Sequence, residues 1–367
     1  MQNRIKWLRA GALMLCAASA LGATPALAQY FKGKTITVVI GYSPGGTMGV
    51  TSRTLTPFLA KHIPGNPNII VKSMPGGGGL KVLNWLFERA PKDGMTIMYG
   101  PTLSIAQLLG QKGIRFDYAK YTLVGGAQTT PIISYARKDV VPGGLKKPED
   151  IMKAKGLKQA GLRPSAWYDL QTRMAIELLG LNQRYTPGYR GGSKIAAAVR
   201  SGEANLAGGT LSGYQGAYEK TMGGPNGIVL PLWYFPFTDG KGGYIETPAA
   251  AKSNFPTFQS VYEKVKGKAP SGQLWDALNF LVDLRSSGST DIVAGPPGMN
   301  PQAAKILQTA FDKMVKDPAM HAQYKKILGG TIVGVDRARI SKALAGISKT
   351  DPKMVKFIKD FAYRKEK

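Results

Sequence analysis

The chain has one cysteine, Cys16, and two histidines, His62 and His321, in 367 residues. Cys16 falls in an N-terminal leader, so the remaining chain has no thiol for a disulfide, a nucleophile or a cysteine metal site. The histidines are far apart, form no HExxH pair and have no cysteine to join them, so neither a metal site nor a His-activated nucleophile is expected. Acidic residues are scarce too: 22 Asp and Glu stand against 49 Lys and Arg, a formal charge of +27. The basic residues are spread along the chain, with a modest cluster from Lys353 to Lys367, and no aromatics interleave them as a nucleic-acid platform requires. The excess bears on solubility and on attraction of anions, not on fold.

Beyond the leader, no run is apolar enough to span a bilayer. In the leader, Arg4, Lys6 and Arg9 precede an apolar stretch from Ala10 to Leu21, and Ala26-Leu27-Ala28 supplies a small-residue cleavage pattern. Residues 1–28 are expected to be a signal peptide cleaved after Ala28. Leu15 before Cys16 does not suit a lipoprotein site. The remainder is long enough for two domains, each with its own core.

From Lys34 on, short β-branched runs alternate with amphipathic stretches, the pattern of an α/β protein built around parallel sheets. TITVVI (Thr35 to Ile40) is a buried-strand run, GYSPGGT (Gly41 to Thr47) a turn, and Val50, Leu55, Phe58 and Leu59 mark a helix face. The order repeats with Ile69 to Val71, the glycine turn Pro75 to Gly79, and Leu80, Leu83, Leu86 and Phe87; Thr96 to Tyr99 is a third strand. A second series comprises strand Leu157 to Ala160, a helix bearing Leu170, Met174, Leu178 and Leu179, the extended Arg184 to Thr186, the turn Tyr189 to Ser193 and strands at Ala204 to Ala207 and Ile228 to Tyr234. Strand Asp291 to Ala294 and a helix capped by Asn300 with Pro301 at its first position are expected to rejoin the first unit. The chain would cross between units near Val124 to Tyr135 and near Leu230 to Phe237.

A glycine-rich turn between a strand and a helix directs backbone N–H groups and the positive end of the helix dipole into one space, which suits an anion. Ser43, Pro44, Gly45, Gly46 and Thr47 form one such turn and Gly76, Gly77, Gly78 and Gly79 another, both where ligands of open α/β sheets sit. A nucleotide site is disfavoured: GxxxxGK[ST] is missing and GYSPGG lacks the GxGxxG spacing. Gly41-Tyr42-Ser43-Pro44-Gly45 matches the GxSxG elbow of hydrolases, but the residue after Ser43 would have to donate its N–H to the oxyanion, and Pro44 has none. No catalytic residue, cofactor or metal is expected.

Taken in order, Lys34 to Val39, Pro44 to Gly46, Arg53, Pro75 to Gly79, Ala90 to Gly94, Tyr189-Arg190-Gly191, Gly202-Glu203, Ala294 to Gly298 and Asp317-Pro318 resemble the substrate-binding proteins of tripartite tricarboxylate transporters, the TctC or Bug receptors. The resemblance implies a type II periplasmic-binding-protein fold, two α/β lobes joined by two crossing strands with a cleft between them. Residues 29–128 and 235–367 would form the first lobe and 129–234 the second. It also implies a monomeric periplasmic receptor for a small organic acid anion, partnered by an inner-membrane permease of the tripartite tricarboxylate type. The ligand carboxylate would be held by the two glycine turns, with Thr102, Ser104 and the second-lobe turns closing the site. Presentation to a membrane histidine kinase and a secreted enzyme are the alternative roles.

Three departures from the family pattern bear on the ligand. Gly49 and Gly209 stand where aspartates are usual, and Gly161-Leu162-Arg163-Pro164-Ser165-Ala166-Trp167 replaces a Gly/Ser/Thr-rich stretch ending in histidine. A pocket that loses carboxylates and gains Arg163 favours a di- or polycarboxylate or an aromatic acid over an amino acid. Arg163 and Arg190 would meet a second anionic end, Ser165 and Tyr189 would line the second-lobe turns, and Trp167 or Tyr168 would cover the ligand body.

Overall fold

The computed structural model describes residues 30–364, except 43, 46, 129, 190, 240–242, 246, 252, 289 and 329–330. The leader and the site candidates Ser43, Gly46 and Arg190 lie outside the described residues; of Thr47 only the backbone is described.

β1 (Thr35–Ile40), β2 (Asn68–Ser73) and β3 (Thr96–Pro101) run parallel in the order β3-β1-β2. Ile36, Val38, Val39 and Ile40 are all buried, because helices cover both faces of the sheet. Leu55 and Leu59 of α1 (Thr47–His62) join Ile36, Val38 and Ile40 on one face; Val82, Leu83 and Leu86 of α2 (Leu80–Glu88) join Val39 and Met98 on the other. α3 (Ser104–Leu108) follows β3. After β4 (Thr122–Gln128) the chain enters a second sheet of β5 (Ile132–Arg137), β6 (Leu157–Ala160), β7 (Gln183–Thr186), β8 (Leu206–Thr210) and β9 (Val229–Phe235), ordered β7-β6-β8-β5-β9. Helices α4 (Trp167–Leu178) and α5 (Gly192–Ser201) belong to this part. Beyond the short antiparallel pair β10 (Phe237–Thr238) and β11 (Tyr244–Ile245), β12 (Asp291–Gly295) and β13 (Val333–Val335) complete the first sheet as β13-β4-β12-β3-β1-β2.

The sheets are mixed, whereas the alternating pattern suggests parallel ones. Strand–helix–strand units give the parallel pairs β1–β2, β1–β3, β6–β7 and β6–β8, but strands at the inter-sheet passages pair antiparallel: β12 with β3 and β4, and β5 with β8 and β9. The chain passes from sheet to sheet between Gln128 and Ile132 and leaves the second sheet after Phe235. The segment from 235 onward is shared between the two halves. α6 (Phe258–Lys266) packs on β9 and α7 (Gln273–Ser287) on α4, while α8 (Pro301–Met314) packs on β4 and α1, α9 (Pro318–Leu328) on α1, and α10 (Arg337–Gly346) on β4.

The last helix, α11 (Pro352–Tyr363), returns to the second half. Arg173 of α4, fully buried, donates to the carbonyls of Ala362 (2.9 Å) and Phe361 (3.1 Å) at the end of α11, and its guanidinium lies 4.5 Å from the Tyr185 ring and 5.2 Å from that of Phe361. A cation at the carbonyl end of a helix meets both the orphan acceptors and the negative end of the dipole.

Both histidines serve helix ends. His62 Nε2 lies 3.0 Å and Lys61 Nζ 2.9 Å from Asp317, which also accepts from Ala319 N (3.0 Å) as the cap of α9; His321 Nε2 donates to the Val315 carbonyl at 2.9 Å. The hydrogen bond from Lys61 is the main reason the Asp317 carboxyl is held down at about 2. A carboxyl lowered on folding stabilises above its unfolded value and loses that contribution as pH falls through the folded one. Asp317→Ala should therefore lower Tm at pH 7, with the gap to wild type closing between about pH 4 and pH 2. A gap independent of pH would show that the carboxylate is not what acts.

Candidate ligand-binding site

Because β3, β1 and β2 are parallel neighbours, the turns that follow them share one edge of the first sheet. The turn after β2 is made of four consecutive glycines at positive φ: Gly76 (149°), Gly77 (57°), Gly78 (64°) and Gly79 (103°). Only glycine sustains such a run. The Gly76 carbonyl accepts from Gly79 N (3.1 Å) and Lys81 N (3.3 Å), and Leu80 N donates to Gly77 O; Gly77 and Gly78 donate in none of these turn bonds. The neighbouring turn packs directly on this one. A Cβ on Gly41 would lie 3.0 Å from Gly79 Cα, the Tyr42 hydroxyl donates to Gly78 O at 3.0 Å, and Ser73 Oγ donates to Tyr42 O. Burial is the main cause that pushes the Tyr42 hydroxyl up to about 12, so it stays a protonated donor.

In the first turn Arg53 of α1 donates to the Pro44 carbonyl at 2.7 Å, with Gly45 exposed beside it. The same carbonyl oxygen lies 2.1 Å from where a Cβ on residue 49 would be. Gly49 is required by this close backbone approach, so an aspartate there would need a different turn. Gly209 is otherwise: the nearest atom to a Cβ is Tyr135 Cε1 at 3.9 Å, which leaves room for a side chain. After β3, Thr102 is buried with its N–H donating to Thr290 O (3.2 Å), and Ser104 Oγ is buried with no hydrogen-bond partner among the described residues.

The turn after β6 supplies the other wall. Asp169, in the first turn of α4, accepts from Arg163 N (2.9 Å) and the Tyr185 hydroxyl (2.9 Å), which fixes the course of residues 161–166. This brings Arg163 to the first half: its Nη1 lies 3.2 Å from the Cβ position of Gly78. Ser165 Oγ reaches Gln111 Oε1 at 3.3 Å, a second contact between the halves. Trp167 and Tyr168 are half-buried against the core that the two halves share. Tyr189 donates its hydroxyl to Glu203 and its N–H to Gly161 O at 3.1 Å, which ties it to the turn after β6.

Residues that sequence reasoning passed over sit behind this constellation. Arg285, in the last turn of α7 and 8% exposed, donates to Thr130 O at 2.9 Å and places its guanidinium 5.9 Å from the Trp167 ring and 5.8 Å from that of Phe237. Ser286 beside it accepts from Thr238 N (3.0 Å) through Oγ and from Gln128 Nε2 through its carbonyl. Both inter-sheet passages are thus tied to the end of one helix. Asp291 accepts from the Tyr99 hydroxyl at 3.1 Å; burial lifts its carboxyl to about 6 and draws the Arg285 guanidinium down to about 10. Among the described residues no group of three or more His, Cys, Asp or Glu is placed to hold a metal ion, and no helix is long and apolar enough to cross a membrane.

No family model matches the chain. A UPF0065 protein of Cupriavidus necator is 39% identical over 99 residues, which is 26% of this chain and 29% of that relative's length. Among solved structures, a Rhodopseudomonas palustris protein with adipate aligns with a TM-score of 0.64 at 16% identity, over 89% of this chain and 97% of that one. MatC from the same organism, with bound malate, aligns at 0.58 and 18% identity over 89% and 98%. A TctC solute-binding protein from Polaromonas aligns at 0.58 and 14% identity over 89% and 97%. With its two α/β halves facing each other across these turns, the chain shares its fold with these proteins, the TctC solute-binding protein among them.

Proposed function

We propose that this chain is an exported receptor that captures a small organic carboxylate between its two lobes in the periplasm and hands it to a tripartite tricarboxylate-type permease, performing no chemistry on it. The observation that carries the reading is the meeting of unlike partners across the lobes: a glycine turn able to offer backbone N–H groups, and Arg163 reaching it from the opposite side. Gly45, Thr47 and Gly76 to Gly79 would bind one carboxylate by backbone, with Pro44 shaping the first turn and with Thr102 and the Ser104 hydroxyl, which has no partner among the described residues, beneath it. Arg163 would bind the other end as a forked donor, with Ser165 and Trp167 at its side. Malate and adipate in two structural relatives are acids of this kind. The position of Pro44 at residue 49 argues against an amino-group partner there, which favours ligands that are anionic throughout.

Closure is the mechanism such a site allows: the ligand must bind better when both turns reach it than when one does. A thermal-shift screen of mono-, di- and tricarboxylates, aromatic ones included, tests the reading. An acid at a hundredfold over its Kd stabilises by about 2.7 kcal/mol, and the same acid should compact the protein in X-ray scattering. A screen in which no acid moves Tm would sink the reading.

A further inference from the structure

Asp169 is the one carboxylate built into the second-lobe turn. It is fully buried; Oδ2 accepts from Arg163 N and the Tyr185 hydroxyl, the Leu162 N–H also favours the carboxylate, and Oδ1 is buried with no hydrogen-bond partner of normal geometry among the described residues. The turn is shaped around it: a Cβ on Gly161 would fall 2.3 Å from the Tyr185 ring and 2.8 Å from Asp169 Oδ2. A buried carboxylate whose hydrogen bonds fall mainly on one oxygen is costly to ionise. The charged and titratable groups around it are the Arg163 side chain on the turn, Tyr185 on β7 with the Arg173 guanidinium over its ring, Tyr168 on its own helix, and Arg285 reaching the Trp167 end from α7.

We propose that Asp169 is a positioning residue for the second-lobe half of the site: it holds the Arg163 turn in place, and its carboxyl gains a proton when an anion binds in front of that turn. The proposal rests on the receptor reading above. The carboxyl is poised for this, because burial raises it to about 7 against the opposing pull of the Arg163 and Leu162 N–H groups, the Tyr185 hydroxyl and the Arg163 charge. Protonation leaves Oδ2 able to accept both bonds, so the turn keeps its course. An arriving anion repels the ionised form and not the neutral one, so affinity should be highest below neutral pH and fall as pH rises through the carboxyl's own value.

Asparagine keeps an acceptor and removes the charge; alanine removes both. In calorimetry with adipate, a dianion above about pH 6, wild type should lose about fivefold or more in affinity between about pH 6 and pH 8. Asp169→Asn should bind nearly equally at both, and Asp169→Ala weakly at both. A second arm needs no acid. A carboxyl raised on folding costs stability as pH climbs from its unfolded value to its folded one, so wild type should lose Tm relative to Asp169→Asn between about pH 4 and pH 7, and no further above. Parallel pH profiles of wild type and Asp169→Asn in either arm would overturn the proton coupling, and wild-type affinity in Asp169→Ala would overturn the positioning. Adipate failing to bind at any pH would count against the receptor reading, and the acid-free arm would still decide whether Asp169 titrates.

Discussion

Arg163→Ala is expected to weaken carboxylate binding about tenfold or more while leaving Tm without ligand close to that of wild type. The side chain is half-buried, its backbone N–H is held by Asp169 at 2.9 Å, and its guanidinium faces the Gly78 turn across the cleft. Among the described residues it makes no ion pair within 4 Å, and the buried Asp169 carboxyl that feels its charge can take up a proton, so its removal should cost little folded stability. With ligand present, truncation leaves one carboxylate unpaired in a closed cleft. Losses from breaking such pairs run to about 2–5 kcal/mol, and partial exposure puts Arg163 at the lower end. Arg163→Lys should fall between, since an ammonium keeps the charge and loses the fork. Calorimetry on the best acid from the screen reads both; Arg163→Ala binding as tightly as wild type would remove Arg163 from the site.

Arg173→Leu should produce the largest loss of stability. The substitution leaves the Ala362 and Phe361 carbonyls without their donor and deletes a cation stacked between two rings. Each buried acceptor left unsatisfied costs about 1–3 kcal/mol, so a total on the order of 4 kcal/mol is expected, with Tm falling by several degrees. Arg173→Lys should recover little, because one ammonium cannot reach both carbonyls in the guanidinium's plane. Chemical unfolding of the three proteins decides this; a loss below about 1 kcal/mol would mean that α11 holds its place without the arginine.

The elements built on strand–turn–helix repeats were legible in the residues. TITVVI, LKQA and the Asp291 run are strands within a residue or so of expectation, and Asn300 caps its helix with Pro301 at the first position. Such local signals carry their own boundaries. What stayed hidden were pairings and docking between distant segments. Nothing in the Arg285-Ser286 dipeptide announces that it gathers Thr130, Gln128 and Thr238, and nothing in WYDLQTR announces that Asp169 turns back on Arg163 while Arg173 meets the end of a helix 188 residues on. Of the site proposed above, the glycine turns and Arg163 suggest themselves because residue type states their chemistry. For Tyr189 the same logic suggests a ligand contact, and what residue type does not announce is that Glu203 accepts from its hydroxyl.

The return of α11 to the second half has a consequence for the closure proposed above. A chain that passes between lobes twice leaves them two strands on which to swing; here a third passage, clamped by Arg173 and by the Arg364 to Glu177 pair, spans the same gap. Each added tether reduces the relative orientations open to the lobes, and so the disorder that a ligand must remove when it draws them together. Less of the contact energy at the Gly78 turn is then spent on ordering, and more remains as affinity.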